Sequence, residues 1–478
     1  MMLRDYQLTA YEAIRQSFMR GKRAPVLQLP TGGGKTVTGS YAISKTIAKQ
    51  NRILVLVHRV ELVKQWRATL ENLFGVTPGI IAPTAPRNKA ALCQIAMVQT
   101  MVNRLHEFSK FDLIIVDECH HTNATTYMKI LSYYNTRVLG LTATPQRADG
   151  KGLGINHGGV YDDLILGPTV RELIDMGSLV KPIIYLPPTD IDLSDVGTVA
   201  GDYTKGKLAA AMNKPSITGD AVAQYTKICP GVPCVVFCVN VAHANSVAAA
   251  FRVAGYRAES VDGKTEPTER LRILNGLATG SVQVVTSCDI ISEGTDIPAI
   301  GCAILLRPTK SLVLFIQQVG RALRPFAGKT AAVILDHVGN IGKMTPSGVV
   351  LNHGTPDMDR DWTLEGGAEK KKREKQDGEK NIRLITCESC YAVSEFKQCP
   401  QCGHVNAVKE RKLQTHDGEL KQLSDTQIAQ LREKKQKNRE VGMAKTLDQL
   451  KAIAAARGYK PQWAQHIYDS RQKKKMEI

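Results

Sequence analysis

Ten short runs, most of them apolar and five in each of two blocks, constrain this chain more than any other feature. The first block holds "APVLQLP" (24–30), "RILVLVH" (52–58), "LCQIAMV" (92–98), "DLIIVDE" (112–118) and "RVLGLTA" (137–143). The second holds "CVVFCVN" (234–240), "RAESVD" (257–262), "VQVVTS" (282–287), "CAILLR" (302–307) and "AAVILDH" (331–337). Each run is too short for a buried helix and is followed by a turn and a helical pattern. Short continuous apolar strands alternating with helices predict parallel sheets covered on both faces. A chain of 478 residues is also too long for one core. Two α/β domains are therefore expected, at 1–185 and 217–345. A loop-like connector, "LPPTDIDLSDVGTVAGDY", lies in 186–216.

After Gly342 this pattern stops. Residues 346–383 read as a charged linker around "GGAEKKKREKQDGEK", 384–406 as a cysteine patch and 407–478 as a basic helical tail. The formal charge is +18, and residues 361–478 alone hold 25 lysines and arginines against 17 acids. A one-signed surplus favours a polyanionic partner such as nucleic acid over plain solubility. Seven of the eleven cysteines are scattered in apolar contexts, as expected of small buried hydrophobes in a reducing compartment. No apolar stretch reaches the roughly 20 residues of a membrane span, and the N-terminus lacks a signal-peptide core. The expected location is the cytoplasm.

The loop after the first strand, "QLPTGGGKT" (28–36), should open a helix. Thr31, Gly32, Gly33 and Gly34 would let backbone N–H groups wrap a phosphate at the helix N-terminus. Lys35 would reach the β- and γ-phosphates, and the Thr36 hydroxyl would ligate magnesium. The full phosphate-loop pattern asks for Gly at position 29, where this chain has Leu29.

The stretch "IIVDECHH" (114–121) admits two readings. As a metal cluster, Cys119, His120 and His121 would have to converge on one point, which three adjacent residues at a strand end rarely do. As a carboxylate pair beside a phosphate loop, Asp117 would hold magnesium through water, and Glu118 would polarise the attacking water. Alternation along the strand lets Cys119 point elsewhere. The carboxylate pair is the better expectation.

"DECH" after a phosphate loop, "LTATP" one strand later (141–145) and "QQVGRALRP" (317–325) in the second block resemble superfamily 2 helicases, as a DECH variant of the DEAD/DEAH boxes. The resemblance covers residues 1–345, with the motifs in family order. It implies two RecA-like domains, ATP in the cleft between them and nucleic acid across the top. It places Arg4 and Gln7 of "LRDYQ" beside the adenine, and "VHRVELVKQ" (57–65) and "MVQTM" (97–101) near a strand backbone. Thr142 and Thr144 would couple hydrolysis to domain movement, and His120 would link the hydrolysis site to the second domain. Thr replaces the Ser of many RNA-acting relatives in "LTATP". In "VVTSCDIISEGTDIP" (284–298), Thr286 would sit near the strand, and Gly294 and Asp296 near nucleotide and cleft. Gln317, Arg321 and Arg324 match Q-x-x-G-R-x-x-R. A guanidinium delivered from the other domain would neutralise charge building on the γ-phosphoryl oxygens. "ILLRPTKSLVLFIQQVGRALRP" with "AAVILDHVGN" and a following cysteine patch further resembles bacterial RadD-type DNA-repair helicases and their phage relatives.

"CESCYAVSEFKQCPQCGH" places Cys387, Cys390, Cys399 and Cys402 as C-x2-C-x8-C-x2-C. Two thiolate pairs suit a tetrahedral structural zinc, here in a compact ribbon, with His404 a spare ligand. A redox dithiol would need only one such pair. Further on, Trp463 and Tyr468 lie on two helices divided at Gly458–Pro461, either forming a small core or stacking on bases. The expected protein is thus an ATP- and magnesium-dependent DNA helicase or translocase with a zinc ribbon, acting in repair, recombination or replication. Its setting would be a bacterial cell or a phage-infected host. An RNA helicase, the motor subunit of a restriction-type complex and a non-catalytic nucleic-acid scaffold are the alternatives.

Overall fold

The computed structural model describes residues 3–83, 85, 88–147, 152–186, 198–199, 202–203, 208, 215–288, 297–345, 348–365, 385–386, 393–394, 421–444, 446–459 and 462–476. Two compact units divide the chain, Met1–Lys421 and Gln422–Ile478.

The first block of runs folds as one parallel sheet. Its strands are β1 (Pro25–Gln28), β2 (Ile53–Val57), β3 (Gly79–Ile81), β4 (Cys93–Met97), β5 (Leu113–Asp117), β6 (Arg137–Thr142) and β7 (Asp163–Leu166). They lie in the order β3-β4-β2-β5-β6-β1-β7, every pair parallel. Helices α1 (Asp5–Met19), α2 (Lys35–Ile47), α3 (Val60–Phe74), the single turn α4 (Val98–Met101), α5 (Thr125–Tyr134) and α6 (Val170–Asp175) accompany it. The two-residue period divides each strand between two cores. Ile53, Val55 and Val57 join one cluster with Trp66, whereas Leu54 and Leu56 join the other with Phe111 and Tyr161.

The second sheet contains β8 (Lys181–Leu186), β11 (Cys234–Phe237), β12 (Ala258–Val261), β13 (Val284–Ser287), β14 (Cys302–Leu305) and β15 (Ala331–Asp336), after a hairpin of β9 (Thr198–Val199) and β10 (Asp202–Tyr203). These six run β12-β13-β11-β14-β15-β8, all parallel. Helices α7 (Pro215–Ile228), α8 (Val241–Val253), α9 (Pro267–Thr279) and α10 (Leu312–Ala322) connect or cover them.

Two expected boundaries move. Strand β8, assigned from sequence to the first domain, pairs with β15, so the chain crosses to the second domain before Lys181. Its alternating burial is compatible with either sheet, and only tertiary pairing selects one. Residues from 346 onward were expected to be linker. Instead β16 (Gly342–Thr345) and β17 (Gly348–Leu351) form a hairpin, and the segment to residue 365 folds back. Leu364 accepts from the N–H groups of Leu153 and Gly154 and packs on the first domain's core. Its apolar residues follow no regular period, so sequence pattern alone does not reveal them.

In the second unit, α11 (Asp425–Met443), α12 (Leu447–Ala456) and α13 (Gln462–Met476) enclose a small cluster of Ala444, Leu450, Ala454 and Ala464. Trp463 and Tyr468 pack against it, which is the small-core alternative. Cys387, Cys390, Cys399, Cys402 and His404 lie outside the described residues, as do Gly294 and Asp296. Among the described residues, no helix is long and apolar enough to cross a membrane.

Candidate active site at the domain cleft

The loop from Pro30 to Gly34 leaves the C-terminal end of β1 and runs directly into α2. Gly32 and Gly34 have φ of +86° and +83°, a conformation that L side chains adopt at a cost. Space is also short, because a Cβ on Gly34 would collide with the Gln7 amide. Tyr6 donates its hydroxyl to the Gly33 carbonyl over 3.1 Å. The Gln7 side chain meanwhile accepts from the Arg4 N–H at 3.0 Å. The N-terminal helix therefore lies against the phosphate loop, bringing Arg4 and Gln7 to its edge. Leu29, the departure from the glycine pattern, is fully buried in the core, with its N–H bonded to the Thr142 carbonyl.

Lys35 opens α2 and reaches the Glu118 carboxylate at 3.7 Å, with both side chains largely buried. Asp117 ends β5 and is buried. One of its oxygens accepts the Trp66 indole N–H at 2.7 Å and the other accepts the Glu118 N–H at 3.0 Å. Burial first, and the adjacent Glu118 charge second, push the Asp117 carboxyl well above the usual carboxylate range. Glu118 itself has φ +47°, a left-handed conformation unusual for a residue with a side chain. That turn directs its carboxylate toward Lys35 and to within 3.5 Å of His120 Nδ1.

His120 Nδ1 lies 3.0 Å from the Thr142 hydroxyl, which donates to the Thr144 carbonyl and accepts the Thr144 N–H, each at 3.1 Å. The Gln28 amide donates to the Ala143 carbonyl. These bonds join the strand ends of β1, β5 and β6 into one network. Cys119 points to the opposite core, and burial raises its thiol far above the ordinary range. It does not join a metal cluster with His120 and His121. Among the described residues, no group of three metal-binding side chains occurs.

Two acids lie beside one lysine in a buried site, a donor set that fits a hard cation. Each Asp117 oxygen accepts one hydrogen bond, leaving lone-pair capacity on a carboxylate that burial disfavours without a counter-charge. Thr36 follows Lys35 in the first turn of α2.

The second domain meets this loop through α10. A Cβ on Gly320 would clash with Thr31 at 2.7 Å, and the Arg324 side chain packs over Gly32. Gln317 and Arg321, on the same helix, are buried. Lys329 donates to the carbonyls of Arg324, Ile300 and Pro298, which fixes the turn after α10. Farther along the cleft, Arg270 of α9 pairs with Glu61 of α3 at 2.6 Å.

Thr286 departs from expectation. It is fully buried in a central strand, and its hydroxyl donates to the Ala244 carbonyl over 2.8 Å. It is thus engaged inside the second domain rather than presented to a strand. Trp66, Tyr6 and Gln28 were missed by sequence reading. An aromatic in an amphipathic helix and a glutamine in a strand carry no distinguishing local signal.

The matches to known proteins agree with this architecture. The family model for the type III restriction enzyme res subunit matches residues 1–147, and that for the helicase conserved C-terminal domain matches 220–325. A 51.5 kDa protein of a Lactococcus phage is 36% identical over 392 residues, covering 81% of this chain and 79% of its own. A Saccharomyces cerevisiae protein named as a candidate ATP-dependent helicase, IRC3, is 33% identical, covering 71% of this chain. This chain spans 52% of that relative's length. Among solved structures, a fragment of a candidate HsdR subunit of a type I restriction enzyme from Vibrio vulnificus shares the fold. It has a TM-score of 0.55, 24% identity and coverage of 70% of this chain and 64% of that one. With two RecA-like domains meeting at a phosphate loop, the chain belongs to the superfamily 2 helicases, which are ATP-dependent enzymes.

Proposed function

We propose that this protein is a DNA translocase or helicase that closes its two α/β domains on ATP and reopens them after hydrolysis. The observation that carries this reading is the packing of α10 on the phosphate loop, Gly320 on Thr31 and Arg324 over Gly32, in the same cleft as Lys35, Asp117 and Glu118. Lys35 and the N–H groups of Gly32–Thr36 hold the ground-state phosphates. Glu118, held between Lys35 and His120, orients the attacking water and takes its proton. Arg321 and Arg324 neutralise charge on the γ-phosphoryl group, with Gln317 positioning them. Thr36 and Asp117 are the residues that would hold magnesium, which when bound neutralises charge on the β- and γ-phosphates. Arg4 and Gln7 contact the base. Gly294 and Asp296 are assigned to the cleft on the motif match alone.

DNA is favoured over RNA by the restriction-enzyme name of the matched family, while the basic surplus suits either nucleic acid. The same name supports a second reading, the motor subunit of a restriction-type complex. Cys387, Cys390, Cys399 and Cys402 are assigned to one structural zinc on their spacing, in a ribbon placed before the helical C-terminal unit. ATPase rates with single-stranded DNA, forked DNA, duplex DNA and RNA test the function. Stimulation by RNA alone would overturn the DNA reading, and hydrolysis indifferent to every nucleic acid would overturn the motor.

A further inference from the structure

The opposite edge of the first sheet, where the strands begin, carries a feature the nucleotide site does not use. A cavity of about 370 Å³ is lined by Lys22, Arg23, Lys110 and Arg137 around Phe18, with no carboxylate among the described residues of its wall. A second, of about 470 Å³, shares Phe18 and Arg137 and adds Arg15, Lys45 and Lys49. Seven cations therefore line the combined groove, and all seven are exposed. Among the described residues Asp112 is the one carboxylate in either wall, and it already accepts the Arg52 N–H at 2.7 Å. Arg15 is shared with Glu12 at 2.8 Å. The Asp162 carboxylate accepts the Arg23 N–H at 2.8 Å. With Glu12 and Asp162 added to Asp112 the groove still sets seven cations against three acids, a local concentration beside 63 to 45 for the whole chain.

The sheet order explains the alignment. Lys49, Lys110, Arg137 and Lys22 with Arg23 stand at or just before the starts of β2, β5, β6 and β1, which are consecutive neighbours. Three inter-strand steps span roughly 14 Å, about four nucleotides at a 3.4 Å rise per strand. The aromatics offer no stacking platform. Arg137 lies over the Phe18 ring, and Tyr11 packs edge-on against Tyr41. Single-strand grooves combine cations with free aromatic faces, whereas cations alone read a backbone.

We propose that this groove is a second nucleic-acid site, gripping the phosphate backbone of duplex DNA on the side of the first domain opposite the ATP cleft. It rests on the proposed DNA function and adds a place where duplex is held independently of nucleotide. The motor could then keep hold of DNA while the cleft is open.

The test is a Lys49→Glu, Lys110→Glu double variant of the full chain, chosen because both lysines are exposed. Binding of a 30-base-pair duplex, a length of about three turns, is measured by fluorescence anisotropy without nucleotide across a salt series. The affinity should fall at least about tenfold, and the log–log salt slope should shrink by about two. Basal ATPase without DNA should be unchanged, which also shows that the variant folds. Unaltered affinity and slope would overturn the proposal. Polyglutamate that binds wild type as tightly as the duplex does would overturn it too, in favour of an acidic protein partner. Wild type that bound no duplex would remove the premise, an outcome distinct from a variant that behaves like a binding-competent wild type.

Discussion

The Trp66 indole donates a 2.7 Å hydrogen bond to the Asp117 carboxylate, joining α3 to the end of β5 across 51 residues of sequence. The ring also packs against the helix carrying the phosphate loop, where a Cβ on Gly39 would strike it at 2.6 Å. One side chain thus orients the proposed magnesium-side acid and seats α2. Trp66→Phe keeps most of the packing and removes the bond. Stability should fall by about 1.5–3 kcal/mol, the range for a hydrogen bond to a charged group, as read by urea unfolding. Turnover should fall about tenfold through a displaced Asp117, with the Michaelis constant for ATP little changed. An ATPase unaffected by the substitution would show that Asp117 is positioned without Trp66.

Lys35 and Glu118 lie 3.7 Å apart but should fail differently when substituted. Lys35→Ala removes phosphate anchoring, so both nucleotide binding and turnover should be lost. Glu118→Gln retains the shape and loses the base, so ATP should bind while turnover drops by roughly 10²–10⁴. Equilibrium binding of a fluorescent ATP analogue beside steady-state hydrolysis separates the two. Near wild-type hydrolysis by Glu118→Gln would assign water activation elsewhere.

Arg321 sits on the helix whose Gly320 touches Thr31, so its effect should appear only in the transition state. Arg321→Ala should leave ATP affinity close to wild type and lower turnover by a factor on the order of 10³. DNA stimulation should vanish with it. Single-turnover hydrolysis with and without DNA is the measurement, and equal stimulation in both proteins would rule out closure as the activating step.

Zinc analysis provides an independent test. Protein purified without added metal should carry about one zinc per chain. Cys399→Ser should release it while ATP binding is retained. A metal-free preparation with reactive thiols would favour the dithiol alternative.

His243, fully buried at the start of α8, should make the second domain acid-sensitive. Burial lowers its pKa from 6.5 to about 4. Between those values the unfolded chain binds a proton that the folded chain refuses, so stability falls as pH drops from about 6.5 toward 4 and is level above that window. The loss at pH 5 should be on the order of 2 kcal/mol. Thermal melts at about pH 7.5 and 5 compare wild type with His243→Gln, which should lose less. Equal losses would place the acid sensitivity in other groups.

Where a signal was periodic or contiguous, the sequence was enough. The ten runs became strands because short, mostly apolar segments bury both faces inside a parallel sheet, with the more polar "RAESVD" forming the half-buried edge strand β12. Gly32–Thr36 were legible as a motif because a phosphate loop is built from neighbouring backbone amides, and Asp117–Glu118 as adjacent acids at a strand end, although the left-handed turn that brings Glu118 to Lys35 is a feature of the fold. Charge composition pointed to a polyanion without locating its surface.

Contacts between distant residues were decided only by tertiary structure. Strand β8 has no local property that distinguishes pairing with β15 from staying in the first sheet, so the domain boundary moved. Thr286 matched a motif, yet its burial in a central strand turned its hydroxyl to the Ala244 carbonyl. Leu364 reads as part of a charged linker and folds against the first core. Trp66 and Asp117, Gly320 and Thr31, and the cations that begin β2, β5, β6 and β1 are close because of strand order and domain packing. Sequence by itself determined the elements and the chemistry that each local motif can perform. The fold decided which motifs share a site, since long-range contacts depend on chain topology, which no local pattern encodes.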